Sequence, residues 1–522
     1  MKKRVLILAA LLSAGCFGLT ACGAKKGNDG SLSGDPGYSS GNNFIFTTES
    51  GATGGGTTAD DAIMDGAGGA VDDWGYNYVP VTETPFVNVA AASSSYFSLD
   101  RNTAGYSYVR RQIVNGYSIQ PQSVRVEELI NYFDYSYAEP TDEAVSVITY
   151  LSPCPWNESN SLVTVGVKTK TERLDAQNGN YVFLIDVSGS MSGDDRIGLA
   201  KYGFNTLLEN LGEGDVVSIV KYASGMSVVA DGIECTESNK SVLTEKMNSL
   251  RASGSTNGAG GLELAYQTAQ KHFITGGNNR VIIISDGDFN VGKSSTEAMK
   301  EFIQDKAESG TYLSVIGVGM GNTRDDMLET LASCGNGNYA YLDNKTEAKK
   351  VFTHDLGGTL LTVAKDAKAG VTFTDKVVKY RLVGYDTKHI TEDEFNDVNT
   401  DAGEIGSGLC TTAVYEVTLK EGADGDVATA EVRYKDVRGG GEENKSVTST
   451  VTTSSEDGDD ARFAACVAEF GLILRKSEFK AQATLSAVYE RLESLTAYIG
   501  DDEYKKEFVS LVEKAIQSEK YE

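Results

Sequence analysis

Between residues 178 and 365 short, continuously apolar runs alternate with amphipathic ones. Tyr181-Val182-Phe183-Leu184-Ile185 is apolar throughout, as expected of a strand buried on both faces of a parallel sheet. The pattern then predicts a helix over 196–211, whose apolar residues are Leu199, Tyr202, Leu207, Leu208 and Leu211. Strands over 216–222 and 226–230 follow, then helices over 238–251 and 259–272 and an apolar strand over 281–284. Helix 295–309, strand 312–318, helix 325–333, strand 339–342 and helix 347–364 complete the series. Such alternation defines an α/β fold, doubly wound on a mostly parallel sheet. Ligands of these sheets bind in the crevice beyond the C-terminal ends of the strands.

The flanks read differently. Residues 81–172 predict helices over 102–115 and 122–133, the second with Val126, Leu129, Ile130 and Phe133 at helical spacing, then strands over 144–151 and 162–168. Arg110-Arg111 and Glu127-Glu128 read as solvated helix faces. Residues 366–522 begin β-rich, with strands over 371–373, 377–383, 412–419, 428–434 and 447–452, and end in helices over 459–475, 479–498 and 503–518. Phe463, Cys466, Val467, Phe470 and Ile473 form an apolar stripe that reads as core. The strands on the two sides leave room for a β-sandwich into which the α/β unit is inserted.

The N-terminus reads as an address. Lys2, Lys3 and Arg4 precede an apolar run over 5–12 that is too short to span a bilayer. Leu19-Thr20-Ala21-Cys22-Gly23 resembles the lipobox of bacterial lipoproteins, which implies a signal peptide over 1–21 and a lipid on Cys22. Cys16 is a weaker alternative. Residues 22–80 are rich in Gly, Ser, Thr, Asn and Asp and read as a disordered tether with a reach of roughly 40 Å. The expected location is the extracytoplasmic face of a bacterial cell membrane, with nothing crossing it beyond the anchor.

Composition narrows the chemistry. There are 47 Lys+Arg against 74 Asp+Glu, a net charge of −27, which would repel nucleic acid. His272, His354 and His389 are the only histidines, leaving little for a zinc-histidine or Ser-His-Asp centre. Apart from Cys16 and Cys22, the cysteines (Cys154, Cys235, Cys334, Cys410 and Cys466) are odd in number and form no CxxC pair, so they read as isolated small apolar side chains.

Three polar clusters remain. Asp186-Val187-Ser188-Gly189-Ser190-Met191 follows the first strand of the α/β unit. Gly254-Ser255-Thr256-Asn257-Gly258 opens a helix, and Ser285-Asp286-Gly287-Asp288-Phe289-Asn290 follows another strand. Asp186, Ser188, Ser190, Thr256 and Asp286 are hard oxygen donors, suited to Mg²⁺ first and also to Mn²⁺ or Ca²⁺. Two carboxylates balance a divalent cation, and Mg²⁺ keeps room for water or a ligand's oxygen, so the site suits a carboxylate on another molecule. An EF-hand is excluded, because Val291 stands where its loop needs glycine.

This constellation resembles the metal-ion-dependent adhesion site of the von Willebrand factor type A domain. The resemblance implies that Asp186, Ser188, Ser190, Thr256 and Asp286 hold the metal, with the serines and threonine approaching it and the aspartates binding directly or through water. Met191, Asn257, Asp288 and Phe289 are candidates for the ligand rim, with capping and packing as the alternative role for Asn257, Asp288 and Phe289. Ser98-Leu99-Asp100, the run from Arg125 to Asp134, Gly335-Asn336-Gly337-Asn338-Tyr339-Ala340-Tyr341 and Tyr380-Arg381-Leu382-Val383-Gly384-Tyr385 are similar to a bacterial lipoprotein family. Its members carry a type A domain (here 178–365) between a dedicated N-terminal domain (81–172) and a C-terminal domain (366–522). The expectation is a non-enzymatic protein that binds a protein ligand's carboxylate. A metal-rigidified scaffold for an envelope complex is the alternative. A metal-dependent hydrolase ranks below both, since the loops offer only Asp288 as a base.

Overall fold

The computed structural model describes residues 70–71, 77–78, 80–99, 101–172, 178–255, 258–287, 296–319, 325–355, 362–400, 402–438, 441–455, 457–518 and 520–521. Strands β1 (Ala70–Val71) and β2 (Asn77–Tyr78) pair antiparallel. The N-terminal flank then supplies β3 (Val87–Asn88), β4 (Ser94–Ser98), α1 (Ala104–Asn115), α2 (Val126–Ile130), β5 (Val145–Pro153) and β6 (Ser161–Thr169).

The α/β unit follows. It comprises β7 (Gly179–Asp186), α3 (Ile197–Asn210), β8 (Val216–Tyr222), β9 (Met226–Glu234), α4 (Glu237–Ser249), α5 (Gly258–Lys271), β10 (Asn278–Ser285), α6 (Thr296–Glu308), β11 (Thr311–Val318), α7 (Asp325–Cys334), β12 (Tyr339–Leu342) and α8 (Lys345–Lys350). Its sheet runs β12-β11-β10-β7-β8-β9, parallel except for β9 against β8. The central strands β7 and β10 are buried along their whole length, in keeping with the apolar runs 181–185 and 281–284 within them. The chain leaves β7 toward β8 on one side and returns to β10 on the other, so a crevice opens at their C-terminal ends.

The C-terminal flank adds β13 (Thr362–Phe373), β14 (Val377–Val383), α9 (Glu392–Asn396), β15 (Gly403–Gly406), β16 (Cys410–Leu419), β17 (Asp426–Asp436), β18 (Glu443–Thr452), α10 (Asp459–Leu474), α11 (Leu485–Ser494), α12 (Thr496–Ile499) and α13 (Glu503–Ser518). One sheet runs β15-β13-β17-β18, with β4 also on β13; a second runs β3-β14-β16-β6-β5. Strands from both flanks therefore build each sheet. They share one core, in which Phe97, Val163 and Val165 pack with Val371, Tyr415 and Val432. The α/β unit is thus an insertion in a β-sandwich. A second core joins α1 and α2 to α10, α11 and α13, and contains Phe463, Cys466, Val467, Phe470 and Ile473.

Three local expectations are corrected. The helix expected over 347–364 stops early: α8 gives way to a π-helical turn, Val351–Asp355, and β13 begins at Thr362, so a domain boundary at 365/366 would fall inside that strand. A bulge between Lys365 and Lys368, with Asp366 at φ 49°, breaks the two-residue alternation that would mark a strand. The helix expected over 122–133 contracts to a 3₁₀ turn, Pro121–Ser123, and α2. Arg110, Arg111, Glu127 and Glu128 are buried rather than solvated.

The described cysteines Cys154, Cys235, Cys334, Cys410 and Cys466 are free thiols, and burial pushes Cys154, Cys235 and Cys466 up to about 12. Among the described residues no helix is long and apolar enough to cross a membrane.

Close packing of α3 on the turn after α8 gives a first testable consequence. A methyl group on Gly203 would fall 2.2 Å from Cε2 of the fully buried Phe352. Gly203→Ala is expected to destabilise the protein by about 1–3 kcal/mol through overpacking. A denaturation midpoint equal to the parent's would show that Phe352 can move aside.

Candidate functional site

Register places the first and third polar clusters together. Ile185 on β7 pairs with Ile284 on β10, so Asp186 and Ser285-Asp286 emerge side by side at the ends of adjacent strands. Ser285 Oγ donates to Asp186 Oδ2 at 3.1 Å, and the Ser188 N–H donates to Asp186 Oδ1 at 2.8 Å. The hydroxyl oxygens of Ser188 and Ser190 lie 2.9 Å apart. Asp186 and Ser188 are buried whereas Ser190 is exposed, so the cluster faces outward through Ser190. Burial, and with it the charge of Asp286, holds the Asp186 carboxyl above its ordinary range against the pull of the Ser188 and Ser285 hydrogen bonds.

The second loop is fastened to the first. The Ser253 N–H donates to the Val187 carbonyl at 2.7 Å, and the Gly189 N–H donates to the Gly254 carbonyl at 2.9 Å. Ser255 donates its N–H to Ser224 Oγ at 2.9 Å. The segment leading to Thr256 is thereby held against the Asp186 loop. Thr256 itself lies outside the described residues, as do Asn257, Asp288, Phe289 and Cys22. Met191, expected at the rim, is fully buried in the core of the α/β unit, because the 3₁₀ turn Gly189–Met191 turns its third side chain inward.

Tyr222 was not foreseen at the site. It ends β8, opposite Asp186 on β7, and its phenol interacts with Asp186 and Ser285. Burial, and then the Asp186 charge, push that phenol far above its ordinary value, so it stays protonated beside the carboxylate. The only sequence signal is a tyrosine closing a strand, and it gains meaning once β8 is known to neighbour β7.

Among the described residues no group of three or more His, Cys, Asp or Glu side chains gathers for a metal. The donors here are two carboxylates with serine hydroxyls, a set that fits a hard divalent cation and not zinc or copper. A cavity of about 480 Å³ lies away from this site, at the N-terminal end of β12, lined by Asn338 and Tyr339 together with Arg101, His389 and Glu404.

The chain matches the family model of the von Willebrand factor type A domain over residues 181–289, a span that takes in the first two loops and the third as far as Phe289. It also matches a von Willebrand factor model over 74–164. It is a von Willebrand factor type A domain protein. A third model, described as the C-terminal part of uncharacterized protein YfbK, matches residues 358–517. The chain is 35% identical to uncharacterized protein YfbK of Escherichia coli (strain K12) over 472 residues, 84% of this chain and 80% of that protein. It belongs to the YfbK family.

A more distant similarity is to inter-alpha-trypsin inhibitor heavy chain H3 of Mesocricetus auratus, 24% identical over 46% of this chain and 29% of that protein. Among solved structures, a von Willebrand factor type A protein from Catenulispora acidiphila aligns with a TM-score of 0.40 and 13% identity, covering 70% of this chain and 89% of that one.

Proposed function

We propose that this chain is a non-enzymatic binding protein, held by a lipid on Cys22 at the extracytoplasmic face of a bacterial cell membrane. It would capture a carboxylate of a protein ligand through a divalent metal ion, Mg²⁺ before Mn²⁺ or Ca²⁺. The observation that carries this reading is the union of Asp186, Ser188 and Ser190 with Ser285-Asp286 at adjacent strand ends. Asp186, Ser188, Ser190, Thr256 and Asp286 would hold the ion. When bound, the ion supplies positive charge and a coordination position for an oxygen of the ligand. Ser285 orients the Asp186 carboxylate, Tyr222 lies beside it on the adjacent strand, and Ser190 is exposed to an arriving ligand. Binding is preferred to hydrolysis because the three loops offer only Asp288 as a general base.

Calorimetric titration of Mg²⁺, Mn²⁺ and Ca²⁺ into the full-length chain is expected to show one site that disappears in Asp186→Ala and in Ser188→Ala. Failure of all three ions to bind would count against the reading. Partners recovered from membranes that survive chelation would instead favour a scaffold in which the metal only stiffens the domain.

A further inference from the structure

Ser190, exposed where Asp186, Ser188 and Asp286 are buried, is held by more than its own loop. Its backbone carbonyl accepts a hydrogen bond from Arg196 Nη1 at 2.6 Å. The Arg196 side chain lies across Gly319, where a methyl group would fall 2.6 Å from Nε and 2.8 Å from Cγ. Gly319 follows β11 at φ +88°, a left-handed conformation that suits glycine. Its carbonyl is gripped from two sides. Arg111 Nη1 donates to it at 3.2 Å, and the Tyr341 hydroxyl also donates to it. The Arg111 guanidinium hydrogen-bonds that same hydroxyl and lies 5.1 Å from the Tyr341 ring centroid. Arg111 belongs to α1, in the N-terminal flank. A contiguous path of packed groups therefore runs from the flank to the site: Arg111, Gly319, Arg196, Ser190.

We propose that Arg111 is a positioning residue for the metal site, acting through Gly319 and Arg196, so that the seating of α1 on the α/β unit sets the affinity for divalent ions. The inference rests on the metal-site reading above. Its physical basis is the way the three-residue turn Gly189–Met191 is fixed. The Ser188 N–H is held by Asp186, the Gly189 N–H by the Gly254 carbonyl, and the Ser190 carbonyl by Arg196. The first two tethers stay within the loops of the α/β unit, and the third leads out to the flank. A guanidinium donor makes the stronger, charge-assisted kind of hydrogen bond, and Arg196 keeps its place because Gly319 leaves room beneath it and Arg111 holds the Gly319 carbonyl. Two hydroxyls that must reach one ion tolerate little drift in the turn that carries one of them.

Charge alone predicts the opposite sign. Arg111 and Arg196 are cations, and removing either would favour a metal ion if Coulomb repulsion governed the effect. A positioning role predicts weaker binding.

The test is Mg²⁺ titration into the full-length chain, compared with Arg111→Met, Arg111→Lys, Arg196→Lys and the double variant Arg111→Met/Arg196→Lys. Arg111→Met is expected to weaken Mg²⁺ binding about tenfold, within the usual range of coupling between sites. Arg111→Lys keeps the charge without the planar fork and should fall between, and it preserves the comparison should Arg111→Met fold poorly. The double variant should bind no more weakly than the weaker single variant, since both act on one path. Glu507→Gln, which loosens α1 from α13 at Arg110 without touching Gly319, should lower Tm and leave the Mg²⁺ affinity unchanged. Parental or tighter binding in Arg111→Met, or additive losses in the double variant, would overturn the inference alone. A parent chain that binds none of Mg²⁺, Mn²⁺ and Ca²⁺ would overturn the metal-site reading, and this inference with it.

Discussion

Arg110→Ala is expected to destabilise the protein by about 3–5 kcal/mol, the range seen when one partner of a buried ion pair is removed. Arg110 is 1% exposed. Its Nε donates to Asp343 Oδ2 at 2.8 Å, Nη2 to Glu347 Oε2 at 2.7 Å, and Nη1 to Glu507 Oε2 at 3.0 Å and the Tyr132 hydroxyl at 2.9 Å. Those partners come from the residue after β12, from α8, from α13 and from the segment after α2. One guanidinium therefore fastens the N-terminal flank to the α/β unit and to the C-terminal helices. Alanine would leave three carboxylates facing one another, with Lys350, itself paired with Asp355, as the remaining cation acting on Glu347. The effect should depend on pH. Burial already raises the Glu347 and Glu507 carboxyls above their ordinary values against the lowering pull of Arg110, so without Arg110 they rise further. An acid whose folded pKa exceeds its unfolded one binds more protons when folded, so stability is lost as pH rises through that window. The deficit of Arg110→Ala should thus be largest at neutral pH and shrink as pH falls toward the ordinary carboxylate range. Denaturant titrations of parent and variant at pH 5 and pH 8 measure it. An equal deficit at both would mean that lost packing, not unpaired charge, dominates.

The same residue shows where sequence reading runs out. On α1 the pair Arg110-Arg111 has the local pattern of a solvated face, yet the helix is buried from Ala104 to Ile113. The carboxylates that make this burial tolerable lie 233, 237 and 397 positions away, and no local periodicity carries that information. The strands of the α/β unit are legible for the opposite reason. β7, β10 and β11 each carry an apolar run because both their faces are covered, and such a run is a property of the segment itself. β13 sits between these cases, since its bulge hides a long central strand behind an alanine- and lysine-rich run. At the site, Asp186, Ser188, Ser190 and Asp286 can be found because each follows directly on such a strand. The supporting parts played by Tyr222 and Ser285 depend on β8 and β10 both flanking β7, and adjacency of strands distant in sequence is a property of the sheet. Met191 shares the string that carries the serines, but it closes a 3₁₀ turn and lies in the core.

Asp186→Asn is expected to weaken divalent-ion binding at least about a hundredfold while stabilising the metal-free protein by about 1–2 kcal/mol, the trade between stability and function usual at binding sites. The carboxylate it replaces is fully buried and has the Asp286 charge for a neighbour. Both conditions disfavour an anion unless a cation arrives. Asparagine keeps the shape. Its oxygen can still accept from the Ser188 N–H, and Ser285 Oγ, which donates to Oδ2 in the parent, can rotate to accept from the new amide instead. What is lost is the negative charge that offsets half of a divalent ion's. Thermal unfolding in chelator and in excess Mg²⁺ separates the two effects. The parent should melt lower than the variant in chelator and gain on adding Mg²⁺, since a ligand that binds only the folded state stabilises it by mass action. The variant should melt at one temperature in both buffers, so the order of the two proteins narrows or reverses as Mg²⁺ is added. A variant less stable than the parent in chelator would show that Ser188, Ser285 and Tyr222 together hold the Asp186 anion more favourably than its burial disfavours it. The site would then be a preformed anion seat and not a pair of carboxylates under mutual strain.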